Sequence, residues 1–271
     1  MNEKPPAAAP HRFNRFEMKY LVPEANVPAL RADIAQHLGT DPLASEPYRV
    51  ESLYFDTADL RFYWEKLDGI KFRRKLRIRH YGSDPEGATA KTPVQVEIKQ
   101  RVNKVTQKRR LALPFPLALS ICDSTGLACY TPVPEDALME AVAEPHRRVL
   151  SEIRTLSANL RLRPTAVTSY LREAYSGFDQ EAGVRITFDH SVSGRDRDFI
   201  LGRESGIAQN RPIIDPSLCV VELKSDERLP FWLTDLTAHH ALNLVRMSKY
   251  CATIEAFDLA PATLTEVEQV I

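Results

Sequence analysis

From Lys71 to Arg79 the chain alternates between charge and apolar character. Lys71, Arg73, Lys75, Arg77 and Arg79 fall on one side of a period-two repeat, and Phe72, Leu76 and Ile78, with Arg74, fall on the other. A helix would scatter these charges around its axis, so the pattern predicts a strand with one cationic face and one mostly apolar face. The same period returns at 94–101, with Val94, Val96 and Ile98 opposite Gln95, Glu97, Lys99 and Arg101. After a turn at Asn103-Lys104, the segment Val105 to Leu113 sets Lys108 and Arg110 against Leu111 and Leu113. Earlier, from about Arg12 to Val22, Arg15, Glu17 and Lys19 share one face while Phe16, Met18 and Tyr20 share the other, and Pro23 ends the run. Tyr48 to Thr57 is rich in β-branched and aromatic residues and reads as a further strand. Later strands are predicted at Thr165–Tyr175, Gly183–Asp189 and Leu218–Ser225. Their polar faces carry Thr168, Tyr170 and Arg172, then Arg185, Thr187 and Asp189, then Glu222 and Lys224. Short connections between successive strands imply antiparallel pairing.

Helical spacing appears between these strands. Val27, Leu30, Ile34 and Leu38 predict a helix over Glu24–Leu38, stopped by Gly39, that covers an outer face of the sheet. Asp56-Thr57 is expected to cap a turn or short helix running to Tyr63. Pro134–Ala143 and Pro145–Leu160 read as helices, each with proline in its first turn, and Pro230 to about Met247 reads as a C-terminal helical region. Ser193 to Asp215 has no apolar periodicity and is expected to be a long mobile loop. The fold expectation is α+β: an antiparallel β-barrel with helices packed outside. It occupies 12–258 as one domain with a helical insert at about 134–160, between a flexible tail at 1–11 and a C-terminal tail at 259–271.

Composition narrows the chemistry. The 271 residues carry 36 Lys and Arg against 36 Asp and Glu, so any affinity for anions must come from segregation of charge by face. Cys122, Cys129, Cys219 and Cys251 form no C-x-x-C pair and no zinc-finger spacing, and read as buried reduced thiols. The Pro/Ala-rich start, Met1 to His11, has no apolar run of the signal-peptide kind, and the stretch Leu111 to Cys122 is far short of the ~20 residues of a membrane span. A soluble, cytoplasmic protein is expected.

Collected, the polar strand faces are cationic in strand after strand, with few carboxylates among them. Ordinary solvent faces mix signs, because like charges opposite one another are destabilising. Closed into a barrel with these faces inward, such charges would be stable only around a polyanion. Nucleic acid is not the expected partner, because Phe16, Tyr20, Phe72 and Phe188 fall on the face opposite the cations and leave no stacking platform beside them.

Seven motifs recur in order: Arg15-Phe16-Glu17-Met18-Lys19-Tyr20, Ser52-Leu53-Tyr54-Phe55-Asp56-Thr57, Lys75-Leu76-Arg77-Ile78-Arg79-His80-Tyr81-Gly82, Val96-Glu97-Ile98-Lys99, Val184-Arg185-Ile186-Thr187-Phe188-Asp189, Val221-Glu222-Leu223-Lys224 and Ser248-Lys249-Tyr250. In this order they resemble the VTC domain, the polyphosphate-polymerase domain of the vacuolar transporter chaperone complex and a member of the CYTH-like triphosphate tunnel metalloenzymes. The resemblance spans about Arg12 to Cys251. It implies a β-barrel tunnel in which basic residues grip a triphosphate and carboxylates hold Mn2+ or Mg2+.

Carried over by motif, Lys19, Arg77, Arg79, Lys99, Arg172, Arg185 and Lys249 would hold phosphates, with Arg77, Arg79, Lys99 and Arg185 nearest the chemistry. Glu222 would bind the metal. Strand parity adds Lys108, Arg110 and Lys224 to the phosphate set, and the wider superfamily adds Glu17 as a second metal ligand. Glu97 is expected to pair with a neighbouring cation, and Arg73 and Lys75 to guide a chain along the same wall.

The implied activity is transfer of the terminal phosphoryl group of ATP onto a polyphosphate chain. The alternatives are a triphosphatase and a non-catalytic module that binds polyphosphate or another acidic partner. The chain shows no G-x-x-x-x-G-K-[ST] loop, so phosphates would be held by side chains. It shows neither a membrane segment nor an inositol-phosphate-sensing domain, so coupled export would need a separate membrane protein. His239-His240 reads as a partly exposed pair at a helix end.

Overall fold

Each segment with a period of two forms a strand in the computed structural model, which describes residues 15–41, 46–82, 87–89, 91–103, 105–127, 134, 138, 142–226 and 228–261. The strands are β1 (Arg15–Pro23), β2 (Gly39–Thr40), β3 (Tyr48–Asp56), β4 (Phe72–Tyr81), β5 (Pro93–Val102), β6 (Val105–Pro114), β7 (Arg163–Ser176), β8 (Val184–Arg195), β9 (Arg211–Pro212) and β10 (Leu218–Asp226). They pair antiparallel in the order β1-β10-β8-β7-β3-β4-β5-β6, with β2 on β7 and β9 on β8. The sheet curls into a half-barrel. Its two ends, β1 and β6, are not paired with one another in this order.

The apolar side of each strand faces the convex surface, where helices cover it. Leu76, Ile78, Val96, Ile98, Leu111 and Leu113 pack with Ala118 and Ile121 of α3 (Phe115–Cys122) and with Leu150, Ile153 and Leu156 of α4 (Arg147–Leu160). At the other side of the sheet, Val22, Ile186, Phe188, Val221 and Leu223 pack with Val27, Leu30 and Ile34 of α1 (Val27–Ile34) and with Leu233 and Leu236 of α6 (Phe231–His239). Each fully buried Leu or Ile contributes about 1.5–3 kcal/mol. A one-residue slip in register would turn this apolar set toward the polar side, so the convex cores fix which side chains face the concavity. Short α2 (Arg61–Leu67) follows β3, and α5 (Glu204–Ala208) lies between β8 and β9.

One helix departs from the expectation that all helices lie outside. In α7 (Lys249–Ala256), Tyr250, Cys251 and Ile254 pack against Tyr54 and Ala166, which share a face with Arg77 on the concave side. Tyr54 and Ala166 form an apolar patch on the concave wall, and α7 covers it; a second apolar cluster on that wall includes Val50, Tyr170 and Val220. Asp56 ties this helix down. Its carboxylate accepts hydrogen bonds from the backbone N–H groups of Thr57, Phe62 and Tyr63 at 2.8, 2.9 and 3.1 Å and from the Tyr250 hydroxyl at 2.5 Å. The expected capping role of Asp56-Thr57 is therefore present, and it also anchors the C-terminal helix.

Other expectations are corrected. The helix predicted over Glu24–Leu38 is a 3-10 turn (Glu24–Asn26) followed by α1, and Gly39 opens β2 in place of stopping the helix. The helix predicted from Pro230 to Met247 ends at His239, beyond which Ala241 takes a positive φ of 47° that a helix does not continue through. Most of 134–143 lies outside the described residues, and the second predicted helix of the insert is α4.

Ser193 to Asp215 is not a long loop. β8 continues to Arg195, and α5 and β9 follow. The cause is Arg195, which is 1 % exposed and forms an ion pair with the fully buried Glu51 at 2.7 Å. Its guanidinium also donates to the carbonyls of Asp198 and Ile200 and to Asn210 at 2.7, 2.8 and 3.0 Å, which pins the segment in place. Cys122, Cys219 and Cys251 are free and buried, as expected, while Cys129 lies outside the described residues. Among the described residues, no helix is long and apolar enough to cross a membrane.

Replacing Glu51 by Ala strands the Arg195 guanidinium without its countercharge. Chemical denaturation should show a loss of about 3–5 kcal/mol. The exposed Arg197, paired with Asp196, should show little loss when changed to Ala. Equal losses at both positions would contradict the anchoring role of Arg195.

Candidate functional site

The pairing register decides which polar side chains meet. Across β3, β4, β5 and β6, Tyr54, Arg77, Glu97 and Arg110 form one row, and Ser52, Arg79 and Gln95 form the next across β3, β4 and β5. Glu97, 1 % exposed, is the centre of the first group. It pairs with Arg77 at 2.6 Å, with Lys108 at 2.5 Å and with Arg110 at 3.1 Å, so the expected partnering of Glu97 is met by three cations. Burial pushes its carboxyl pKa up, but Arg77, Arg79 and Lys108 outweigh that and hold it far below the usual carboxylate range.

A second group forms where β1, β10, β8, β7 and the start of α7 converge. Glu222 pairs with Lys224 at 2.7 Å, Lys19 at 3.1 Å and Lys249 at 3.4 Å, and lies 3.9 Å from Arg172. Asp189 accepts a bidentate pair from Arg172 at 2.6 and 2.7 Å and a further bond from Lys249 at 2.6 Å. Burial opposes ionisation of both carboxyls. Lys19, Lys224, Lys249 and Arg172 outweigh it at Glu222, and Lys249 and Arg172 do so at Asp189, so both stay ionised. Lys224 behaves differently: burial, aided by Arg172, wins over Glu222 and lowers its ammonium pKa to about 8.

Glu17 joins the two groups. It lies 3.2 Å from Lys99 of β5 and 3.8 Å from Lys19 of its own strand. Since β1 and β5 stand far apart in the strand order, this contact crosses the mouth of the half-barrel and sets the two groups face to face. Burial raises the Glu17 pKa, but Lys99, Lys19 and Lys224 together lower it to about 2.

Arg79 donates to Ser52 at 3.0 Å and to the Tyr170 hydroxyl at 3.1 Å. Arg185 lies directly opposite Lys224, is paired with Asp41 at 2.8 Å and is about a third exposed. The sequence-predicted residues thus come together around one concavity, on its two opposed walls.

Several residues here were not assigned a role from sequence. Asp189 shares the work of Glu222. Tyr170, 1 % exposed, lies beneath the guanidinium of Arg172 at 5.1 Å and the ammonium of Lys249 at 4.8 Å, so one ring supports cations from β7 and α7 while its hydroxyl meets Arg79 of β4. Tyr54 accepts from Arg77 at 3.0 Å. Burial pushes its phenol pKa up, but Arg77, Arg79 and Lys75 outweigh that and lower it to about 8. The signals available were the motifs of the resemblance for Tyr54 and Asp189 and strand parity for Tyr170 and Asp189, none of which showed their contacts.

The family model for the VTC domain matches residues 14–258. The chain belongs to the VTC domain family. Membership implies a polyphosphate-related function. Comparison with curated protein sequences found no match.

The carboxylates of this VTC domain suit a hard divalent cation in type: Glu222 and Glu17 offer ionised oxygens and share the Lys19 ammonium, with no thiol or imidazole among them. Their oxygens are engaged by lysines, so a divalent ion would take over countercharge that ammonium groups now supply. Two other groups of metal-capable side chains, Glu24/His190/Cys219 and Asp33/His239/His240, lie on the side of the sheet that α1 covers. In the latter, His240 bonds to Asp33 at 2.8 Å, consistent with the expected pair at a helix end.

The pKa shifts make anion binding pH-dependent with a defined sign. Between about pH 8 and 9, Lys224 is partly neutral and Tyr54 partly ionised, and a bound polyanion favours the ammonium and the neutral phenol. Calorimetry of binding of long-chain polyphosphate, whose internal phosphates carry no titrating proton here, in buffers of different ionisation enthalpy should therefore show proton uptake, with affinity falling as pH rises through this window. Proton release would contradict the assignment.

Proposed function

We propose that this VTC domain is a metal-dependent polyphosphate polymerase that moves the terminal phosphoryl group of ATP onto a polyphosphate chain, inside a tunnel completed by the two mouths of the half-barrel. The observation that carries this reading is the pair of opposed groups centred on Glu97 and Glu222, in which cations outnumber carboxylates within one concavity.

Phosphoryl transfer asks for positioning and charge neutralisation more than for covalent work by the protein. Arg77, Arg79 and Lys99 from one wall and Lys19, Arg172, Lys224 and Lys249 from the other can grip successive phosphates and align donor and acceptor. Their positions are set by strands, so little reorganisation is needed as charge develops. Arg110 and Lys108, held by Glu97, extend the first wall. Arg185 would act opposite Lys224, where Asp41 now holds it. Glu222, with Glu17, would hold Mn2+ or Mg2+, which when bound neutralises charge on the phosphate oxygens. The absence of a Walker-type loop from the sequence fits a site in which side chains do this holding.

A polyphosphate ladder assay with ATP and Mn2+ tests the reading. Wild type should convert ATP to ADP and long chains. Arg77→Ala should lose about 10²–10³-fold in rate together with phosphate affinity. Glu222→Ala should lose product formation while still binding phosphate, because four cations remain around the vacated position. Formation of only ADP and orthophosphate would replace the polymerase with a triphosphatase, and unchanged ATP beside tight polyphosphate binding would leave a binding module.

A further inference from the structure

On the convex side of the sheet three side chains of different chemistry meet. Glu24 sits on the 3-10 turn that leads into α1, His190 on β8 and Cys219 on β10. The pairing of Asp189 with Val220 sets the next residues, His190 and Cys219, side by side on neighbouring strands, on the face that carries Phe188 and Val221. The backbone N–H of Glu24 donates to the carbonyl of Ser217 at 2.8 Å, which ties the turn to the start of β10. A carboxylate oxygen of Glu24, a ring nitrogen of His190 and the sulfur of Cys219 consequently lie within 4.8 Å of one another.

The imidazole has carboxylates on both sides. Its Nδ1 lies 2.8 and 3.0 Å from the two Glu24 oxygens, and its Nε2, buried and without a hydrogen bond, lies 3.4 Å from Glu173. A neutral ring carries one proton, so one of its nitrogens must turn a lone pair toward a carboxylate. A cation between Nδ1 and Glu24 removes that conflict and leaves an Nε2–H for Glu173, the outer carboxylate that a metal-bound histidine commonly has. Arg31 holds Glu173 in place at 2.9 Å. A doubly protonated ring would also satisfy the two carboxylates, but it would make no use of the sulfur. Burial, Glu24 and Asp189 raise the thiol pKa of Cys219, and a bound divalent cation favours the thiolate against all of them.

We propose that Glu24, His190 and Cys219 form a zinc site, separate from the phosphate concavity, that joins the start of α1 to β8 and β10. One thiolate, one imidazole and one carboxylate make the donor set of a borderline-soft tetrahedral ion with water as the fourth ligand, whereas Mn2+ and Mg2+ favour oxygen. On binding, the Cys219 sulfur gives its proton to solvent and a sulfur–zinc bond takes the place of the S–H bond. Glu24, 35 % exposed, lies on the path by which the ion enters, and Cys219 is fully buried at its inner end.

The test uses the full chain, stripped with a chelator and titrated with zinc or cobalt in competition with a chromophoric chelator. Zinc should raise the melting temperature. The first equivalent of cobalt should give a tetrahedral visible spectrum with a thiolate charge-transfer band in the near ultraviolet, unchanged by excess Mg2+. Cys219→Ser should abolish that band and weaken zinc by more than about 100-fold, and Glu173→Gln should weaken zinc by about tenfold. Glu24→Gln, at a partly exposed position where folding is not at risk, should also weaken zinc by at least about tenfold with an unchanged circular dichroism spectrum. A cobalt spectrum without a thiolate band, or a band that survives Cys219→Ser, would overturn the proposal. Zinc binding that is lost in His240→Ala but kept in Glu24→Gln would overturn it too, by placing the ion at Asp33 and the paired histidines.

Discussion

Two buried carboxylates, Glu97 and Glu222, each hold three or more cations in a region of low solvent exposure, and the concave wall depends on them. Without these anchors the guanidinium and ammonium groups would repel one another where water screens them poorly. With them, the wall keeps a surplus of positive charge in fixed positions. The convex cores make this possible, since the helices there lock the register that brings Arg77, Glu97 and Arg110 into one row. The α7 helix completes the arrangement from the inside: Asp56 fixes Tyr250, and the next residue back, Lys249, reaches both Asp189 and Glu222.

The same electrostatics connects structure to function. Each carboxylate is shared among several cations, so an arriving polyanion can engage one cation without breaking the whole group. Glu17 has a distinct place because its contact with Lys99 spans strands from distant parts of the sheet. An anion that draws Lys99 and Lys19 toward itself would free Glu17 oxygens, which couples phosphate binding to any divalent ion held there. Tyr170 provides stiffness, placing one rigid ring under Arg172 and Lys249 while its hydroxyl takes a bond from Arg79.

The strands were legible because alternation with a period of two is a local property, visible wherever one face is charged and the other apolar. That is why Lys19, Arg77, Arg79, Lys99, Lys108, Arg110, Arg172 and Lys224 could be gathered in advance and now face one concavity, while Lys249, on helix α7, was reached only through its motif. What local pattern could not supply was contact between distant segments. Asp189 is one acidic residue on a polar strand face until Arg172 and Lys249 are brought to it. Arg195 looked like part of a charged loop because its partner, Glu51, lies far away in the chain. The place of α7 was hidden for a similar reason, since it depends on the apolar patch made jointly by Tyr54 and Ala166 on two different strands. Arg185 was grouped with the phosphate-binding cations by motif, and its pairing with Asp41, far away in the chain, could not be read from that pattern.

Residue-by-residue protection of lysines from an amine-reactive reagent, read by peptide mass spectrometry with and without ATP and polyphosphate, tests the central claim most directly. A polyanion seated in the concavity should protect Lys19, Lys99, Lys108, Lys224 and Lys249 together, while the exposed Lys91 labels equally in both conditions. Unchanged labelling of the five, or protection confined to lysines outside the concave wall, would contradict it.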